Sequence, residues 1–149
     1  MSRILVVDDD MDMCALLSRF LQRKGFETEI AYTGNSGIAK FKESHFDIVL
    51  CDFRLGDKEG HEVLREIKTL KPATTVIIIT GYSDIKTAVD VMKRGAYDYV
   101  IKPLIPDELI NLINRALNDG PSDAFGAQSK QAPGTSQKSG IKNNGGIIE

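Results

Sequence analysis

The 149-residue chain contains no tryptophan and only two cysteines, and its net charge of −2 arises from 19 basic and 21 acidic side chains. Cys14 and Cys51 are too few for a disulfide framework and do not have the spacing of metal ligands. Because each lies in an apolar segment, we expect both to be small buried hydrophobic residues. The nearly balanced charge disfavours a nucleic-acid-binding protein of the basic-patch kind.

Long hydrophobic runs are also missing. No apolar stretch approaches the roughly 20 residues that a membrane-spanning helix needs, and the N-terminus lacks the charged-then-apolar layout of a secretion signal. We therefore expect a cytoplasmic protein that makes no membrane contact. At about 100–200 residues per domain, the length corresponds to one domain.

Composition divides the chain near residue 119. Residues 1–119 contain nearly all of the apolar periodicity, and we predict that they form the folded domain. Residues 120–149 hold 6 of the 13 glycines and many Ser, Gln and Asn. Such a segment cannot bury enough apolar area to offset the entropy of ordering it. We predict a flexible linker that leads to a missing C-terminal output domain.

Within residues 1–119, short apolar runs alternate with segments of helical periodicity. Strands are predicted at 4–7, 26–31, 48–50, 76–79 and 97–101. Gly25 and Gly95 are predicted to end the first and fourth helices. Five successive strand–helix units indicate an α/β fold with a doubly wound, five-stranded parallel sheet and helices on both faces. The expected architecture is the flavodoxin-like three-layer (βα)5 fold, with strand order 2-1-3-4-5.

Polar side chains follow four of the five predicted strands. Asp8 and Asp9 follow the first strand, Asp52 the third, Thr80 the fourth and Lys102 the fifth. The carboxyl ends of parallel strands lie at one edge of the sheet, so we expect these groups to converge there.

Converging carboxylates repel each other, and burial raises their pKa values. A divalent cation removes this conflict, and an all-oxygen site that retains water suits Mg²⁺ best. Mg²⁺ beside a free carboxylate, a hydroxyl and an ammonium group makes a site for phosphoryl transfer, with the carboxylate as nucleophile.

These residues resemble the receiver domain of a two-component response regulator over residues 1 to about 119. The shared signals are Val6-Val7-Asp8-Asp9, Asp52, Thr80-Gly81, Tyr99 and Lys102-Pro103. The intervals also fit, with 28 residues from Asp52 to Thr80 and 22 from Thr80 to Lys102. Residues 80–99 are similar to receivers of nitrogen-regulation-type activators, which carry an ATPase domain and a DNA-binding domain after the linker.

The resemblance implies a role for each matching residue. Asp52 accepts a phosphoryl group from a sensor histidine kinase. Asp9 binds Mg²⁺ directly, Asp8 binds it through water, Asp52 completes the carboxylate set and Arg54 contributes its backbone carbonyl. Lys102 pairs with a phosphoryl oxygen, and the peptide bond that follows it is cis. The chain is then a phosphoacceptor that assists its own phosphorylation and dephosphorylation, and not an enzyme.

The resemblance also implies a switch. Thr80 hydrogen-bonds the phosphoryl group and Tyr99 turns inward, which changes the surface of the fourth helix, fifth strand and fifth helix. This surface is the candidate homodimer interface, and we expect the switch to control an output domain that acts in transcription. The chain itself has neither a phosphate-binding P-loop nor a helix-turn-helix, so no direct nucleic-acid binding is expected.

Two positions depart from the family pattern. Leu55-Gly56 stands where receivers often have Met-Pro, and Glu59 stands where an aspartate is common. Neither change removes a predicted ligand, although the turn type of this loop is left open.

Other interpretations remain open at this point. Aspartates beside strands also form turns and helix caps, and we assign Asp10 and Asp12 to the N-terminus of the first helix. An apolar strand followed by Asp8-Asp9-Asp10 also occurs in haloacid-dehalogenase-type phosphatases, in which the phosphoenzyme would form on Asp8. A third possibility is a receiver-like module that docks partners without being phosphorylated.

Overall fold

The computed structural model describes residues 2–81 and 85–119, and within them strands and helices alternate five times. The strands are β1 (Arg3–Val7), β2 (Glu27–Ala31), β3 (Ile48–Asp52), β4 (Thr75–Thr80) and β5 (Asp98–Ile101). The helices are α1 (Met11–Arg23), α2 (Gly34–Glu43), α3 (Gly60–Leu70), α4 (Ile85–Lys93) and α5 (Pro106–Asp119). Residues 120–149, for which the sequence predicts a linker, lie outside the described residues.

The strands form one parallel sheet in the order β2-β1-β3-β4-β5, which confirms the predicted fold class and strand order. Every residue of β3 and β4 is buried, as expected for central strands covered on both faces. In contrast, β5 at the sheet edge is only half-buried. The carboxyl ends of these buried central strands therefore lie at the same edge of the sheet.

Two hydrophobic cores lie on opposite faces of the sheet. Alternate residues of β1 divide between them, because successive side chains of a strand point to opposite faces. Leu5 and Val7 pack with residues of α2, α3 and α4, whereas Ile4 and Val6 pack with residues of α1 and α5. The result is the three-layer arrangement that the alternation of strands and helices predicts.

Helices α1 and α4 end in the same way. Gly25 and Gly95 adopt positive φ angles of 96° and 107°, a region that favours glycine. The amide of Phe26 donates to Leu21 O at 3.1 Å, and that of Ala96 donates to Val91 O at 3.0 Å. Both bonds belong to the Schellman pattern that closes a helix. The predicted ends of these two helices are confirmed.

The burial of individual side chains shows where apolar spacing alone is insufficient. Leu16 is 65% exposed, although the next residue, Leu17, is buried. On α4 the structure buries Ala88 and Val91 but leaves Ile85, Val89 and Met92 exposed. A short helix near the sheet edge buries only a narrow stripe, so part of its apolar pattern faces outward.

Cys14 and Cys51 are both buried free thiols, as predicted. Burial is the main reason that the pKa of the Cys14 thiol rises to about 12. Both residues therefore act as small core side chains at neutral pH. In the described part of the chain, every helix is too short or too polar to cross a lipid bilayer.

The adjacent leucines of α1 allow a matched test of the core. We expect Leu17→Ala to lower the free energy of unfolding by about 2–5 kcal/mol, because it removes buried apolar volume. The same change at Leu16 should stay within about 0.5 kcal/mol, since that side chain is exposed. Urea unfolding of both variants measures the difference, and equal losses would contradict this orientation of α1.

Candidate functional site

Four predicted site residues converge at the carboxyl edge of the sheet. Asp8 directly follows β1, Asp52 is the last residue of β3, Thr80 is the last residue of β4, and Lys102 directly follows β5. Asp8, Asp52 and Thr80 are buried, with exposed fractions of 1%, 6% and 2%. Fixed strand ends thus place side chains from distant parts of the sequence in one small volume.

Lys102 is the cation between the two buried carboxylates. Its Nζ lies 2.9 Å from Asp52 Oδ1 and 3.4 Å from Asp8 Oδ2. The Lys102 side chain comes from the edge strand and reaches past the end of β4. Its backbone amide donates to Thr80 O at 2.7 Å, so Lys102 and Thr80 are held together at the backbone.

Backbone amides hold the carboxylates in place. The amide of Asp10 donates to Asp8 Oδ1 at 3.0 Å, and that of Arg54 donates to Asp52 Oδ2 at 3.2 Å. The amide of Met13 donates to Asp10 Oδ1 at 3.1 Å, so Asp10 caps α1 as predicted. Each buried carboxylate is therefore oriented by the loop that follows its own strand.

Burial dominates the electrostatics of the site. Removal from water raises the pKa of Asp8 and of Asp52, and the hydrogen bonds from Asp10 and Lys102 offset this only in part. Burial opposes the charge of Lys102 as well, but the hydrogen bond and charge of Asp52 raise its pKa above the usual value. Without a further cation, the two buried carboxylates remain incompletely compensated.

The donor set fits a hard divalent cation. Carboxylate oxygens of Asp8, Asp9 and Asp52 all lie within 4.8 Å of one another, and oxygen ligands of this kind suit Mg²⁺. Among the described residues, Asp8 Oδ2 is buried and accepts no hydrogen bond, despite the ion pair with Lys102. Asp9 is exposed, which leaves one side of the cluster open to water.

The loop after Asp52 carries the predicted carbonyl ligand. Arg54 pairs with Glu59 in an isolated antiparallel bridge, and the amide of Gly60 donates to Phe53 O at 2.6 Å. These contacts close the base of the loop. Glu59, the departure from the common aspartate, occupies the N-cap position of α3.

Tyr99 lies on β5, paired in register with Ile78. It is half-buried and packs against the core on the side of α2, α3 and α4. The Lys102–Pro103 peptide bond is cis, as the resemblance implies. The structure thus brings Asp8, Asp9, Asp52, Thr80 and Lys102 to one edge of the sheet. Tyr99 lies within β5, three residues before Lys102. The individual roles of these residues stay predictions.

Asp57 was not singled out by the sequence. Its two carboxylate oxygens accept from the amides of Gly34 and Asn35, each at 2.8 Å. In the sequence, Gly56-Asp57 reads only as a turn, and its partners stand 22 and 23 residues earlier. No local signal could have revealed a cap supplied from so far away.

Comparison with known proteins agrees with this geometry. The response regulator receiver domain family matches residues 4–114. The chain is 44% identical over 114 residues to the transcriptional regulatory protein ZraR of Salmonella typhimurium, covering 76% of this chain and 26% of that protein. It is 40% identical over 116 residues to the regulatory protein AtoC of Escherichia coli K12, covering 78% of this chain and 25% of that protein.

Solved structures show the same fold. A receiver domain protein from Methanospirillum hungatei JF-1 has a TM-score of 0.78 and 35% identity, with 80% of this chain and 95% of that chain covered. NtrX from Brucella abortus has a TM-score of 0.75 and 37% identity, covering 79% of this chain and 27% of that chain.

The chain spans about a quarter of the length of these curated relatives. ZraR, AtoC and NtrX agree with the resemblance to receivers of nitrogen-regulation-type activators. The family match extends from β1 into α5. It includes all the residues that converge at the carboxyl edge of the sheet, here called the acidic edge: Asp8, Asp9, Asp52, Thr80 and Lys102. The chain therefore belongs to the receiver domain family of two-component response regulators.

Proposed function

We propose that Asp52 is the phosphoacceptor of a signalling switch and that a sensor histidine kinase is its phosphodonor. The observation that carries the proposal is the buried cluster of Asp8, Asp52 and Lys102, in which a carboxylate lies 2.9 Å from an ammonium group. A neutral or purely structural role does not require two carboxylates to be taken out of water side by side.

Mg²⁺ is the proposed cofactor. Asp8, Asp9 and Asp52 would hold it with the backbone carbonyl of Arg54, and Asp8 could act through a bridging water. The bound ion would neutralise charge on the phosphoryl oxygens. The orphaned Asp8 Oδ2 and the raised pKa of both buried carboxyls support this assignment.

The chain's own residues then perform the transfer. An Asp52 carboxylate oxygen attacks phosphorus, forming a P–O bond as the P–N bond of phosphohistidine breaks. The imidazole nitrogen keeps the electron pair of that bond and takes a proton from solvent. Lys102, already beside Asp52, pairs with a phosphoryl oxygen. Later attack by water at phosphorus breaks the P–O bond to Asp52, releases inorganic phosphate and restores the free carboxylate. The domain is thus a self-assisting phosphoacceptor and not a conventional enzyme.

Thr80 and Tyr99 are the proposed switch residues. Thr80 lies at the end of β4 beside Lys102, from which a hydroxyl can reach a phosphoryl group on Asp52. Tyr99 is half-buried on the edge strand, so its ring can move farther inward once Thr80 bonds the phosphoryl group. Phosphorylation then shifts the population between two states of the surface formed by α4, β5 and α5.

This surface is the proposed homodimer interface. It exposes a group of large apolar side chains on α4, on β5 and in the loop that follows β5. They are Ile85, Val89, Met92, Ile101 and Ile105, with exposed fractions between 40% and 79%. Exposed apolar clusters of this kind mark interaction surfaces. Lys93 and Glu108 would add charged contacts at the rim, and Asp90 pairs with Arg94, the residue that follows α4.

The output is proposed to be transcriptional. The curated relatives ZraR and AtoC are regulatory proteins about four times longer than the matched segment. A C-terminal output domain of the parent protein would therefore receive the change at α4, β5 and α5, while this chain contacts no nucleic acid itself.

The first prediction concerns the phosphoacceptor. With Mg²⁺ and a small phosphodonor such as acetyl phosphate, the intact mass should rise by one phosphoryl group, and EDTA should prevent the gain. Asp52→Asn should abolish it because the nucleophilic carboxylate is lost. Asp47→Asn is the matched control, because Asp47 directly precedes β3 and lies at the other end of the strand from Asp52. This variant should be phosphorylated normally.

Other outcomes discriminate between the alternatives. Phosphate retained by Asp52→Asn and lost from Asp8→Asn would indicate phosphatase-type chemistry on Asp8. An unchanged mass for the wild-type protein would favour a docking module that is not phosphorylated.

The second prediction concerns the counter-ion. Because the folded-state pKa values of Asp8 and Asp52 lie above the unfolded values, their stability contribution is full at low pH and is lost as pH rises. Lys102→Met should worsen this loss. Since the Lys102 side chain is 29% exposed, we expect a deficit of about 1–3 kcal/mol at neutral pH, shrinking as the carboxyls become protonated.

Urea unfolding in EDTA at about pH 3.5, below the ordinary pKa of an aspartate, and at about pH 7 measures this pH dependence. Lys93→Met, on the exposed end of α4, controls for removal of a positive charge. A deficit of equal size at both pH values would contradict the proposed role of Lys102 as the counter-ion of buried carboxylates.

The third prediction concerns assembly. Phosphorylated wild-type protein should elute as a dimer in size-exclusion chromatography. Val89→Lys should accept phosphate normally but remain monomeric, because it places a charge within the apolar surface of α4. Leu16→Lys makes the same kind of change at an exposed position of α1, and this variant should still dimerise. Loss of the dimer in Leu16→Lys alone would move the interface to α1.

A further inference from the structure

The Asp57 side chain hydrogen-bonds the loop between β3 and α3 to the N-terminus of α2. Asp57 Oδ1 and Oδ2 accept from the amides of Gly34 and Asn35, the first two residues of α2, each at 2.8 Å. These hydrogen bonds lower the pKa of the Asp57 carboxyl. Thr33 caps the same helix separately, since its Oγ1 accepts from the amide of Ser36 at 3.0 Å.

Helix α2 also packs against β1, the strand that leads directly to Asp8. Gly37 lies so close to Val7 that an added Cβ would be 2.8 Å from Val7 Cγ2. Val7 directly precedes Asp8, and the amide of Asp8 donates to Ala31 O in neighbouring β2. The position of α2 is therefore fixed relative to Asp8.

Asp57 thereby connects two groups of proposed metal ligands. One group, Asp8 and Asp9, follows β1. The other, Asp52 and Arg54, belongs to the end of β3 and the loop behind it. The base of this loop is closed by the bridge of Arg54 with Glu59, and Leu55 packs against the core, but Gly56, which precedes Asp57, brings no side chain to anchor the apex. Asp57 supplies that anchor on a helix that already touches the first group.

We propose that Asp57 is a positioning residue for the Mg²⁺ site, which it preorganises by holding the loop of Arg54 against the N-terminus of α2. This inference rests on the proposed function of the acidic edge. Asp57 is exposed, and its carboxylate hydrogen-bonds the amides of Gly34 and Asn35, which are not among the proposed ligands. It acts through the placement of the Arg54 backbone relative to Asp8 and Asp9, in the manner of outer-shell residues that orient metal ligands.

The expected signature is a selective loss of metal affinity. Outer-shell changes typically weaken metal binding about 10–100-fold, and Asp57 acts one step farther away. We expect Asp57→Ala to weaken Mg²⁺ binding about three- to ten-fold. The Mg²⁺ concentration for half-maximal phosphorylation by acetyl phosphate should rise by the same factor, whereas the rate at saturating Mg²⁺ should remain within about two-fold of wild type.

The test measures Mg²⁺ binding by isothermal titration calorimetry without phosphodonor, and then the dependence of phosphorylation rate on Mg²⁺. Thr33→Ala is the matched control, because it removes a cap from the same end of α2 and leaves the loop attached. Asp57→Asn is the second variant. It keeps one acceptor oxygen, so its affinity should lie between those of wild type and Asp57→Ala, and it carries the test if Asp57→Ala does not fold.

The possible results separate the two proposals. Wild-type affinity in both Asp57 variants overturns the positioning role and leaves the proposed function intact. An equal loss in Thr33→Ala also overturns it, since the effect would then come from the stability of α2. No Mg²⁺ binding by the wild-type protein would instead contradict the proposed function itself.

Discussion

Two carboxylates, Asp8 and Asp52, are buried side by side at the ends of neighbouring strands, and the rest of the site is arranged around them. Burial disfavours the charged form of each, so the fold must supply compensation at this point. Lys102 provides part of it from the edge strand, and backbone amides provide another part. The compensation is incomplete, which makes the edge receptive to a divalent cation and to a group with anionic oxygens. The unfavourable burial of charge is thus the origin of the proposed chemistry.

The sheet positions the charges, and the loops position their ligating atoms. Parallel strands place every carboxyl end on one edge, but β1 and β3 alone do not fix how the segments behind them lie. Asp57 and α2 connect those segments, so the helix layer on one face of the sheet contributes to the geometry of the acidic edge. The opposite layer, α1 and α5, contributes the N-cap residue Asp10, whose amide also donates to Asp8 Oδ1. Function at this edge therefore depends on both helical layers as well as on the sheet.

Local patterns predicted most of the fold. The local signals are the β-branched run of β4, the alternation in β2 and the glycines after α1 and α4. Each depends mainly on residues that are close together in the sequence. Apolar spacing alone does not decide which side of a helix is covered. Leu16 and Leu17 are chemically identical, and α4 buries Val91 instead of Val89, because burial is set by the partner surface and not by the helix's own periodicity.

The sequence by itself determined the order of elements, the parallel topology and the convergence of Asp8, Asp52, Thr80 and Lys102, since strand ends share an edge whatever the details of packing. Only the tertiary structure decided which atoms meet. The contacts of Lys102 with two carboxylates, the orphaned oxygen of Asp8 and the Asp57 bridge to α2 depend on distances between segments far apart in the chain. Such distances result from the packing of helices on both faces of the sheet, and no local preference of the residues encodes them.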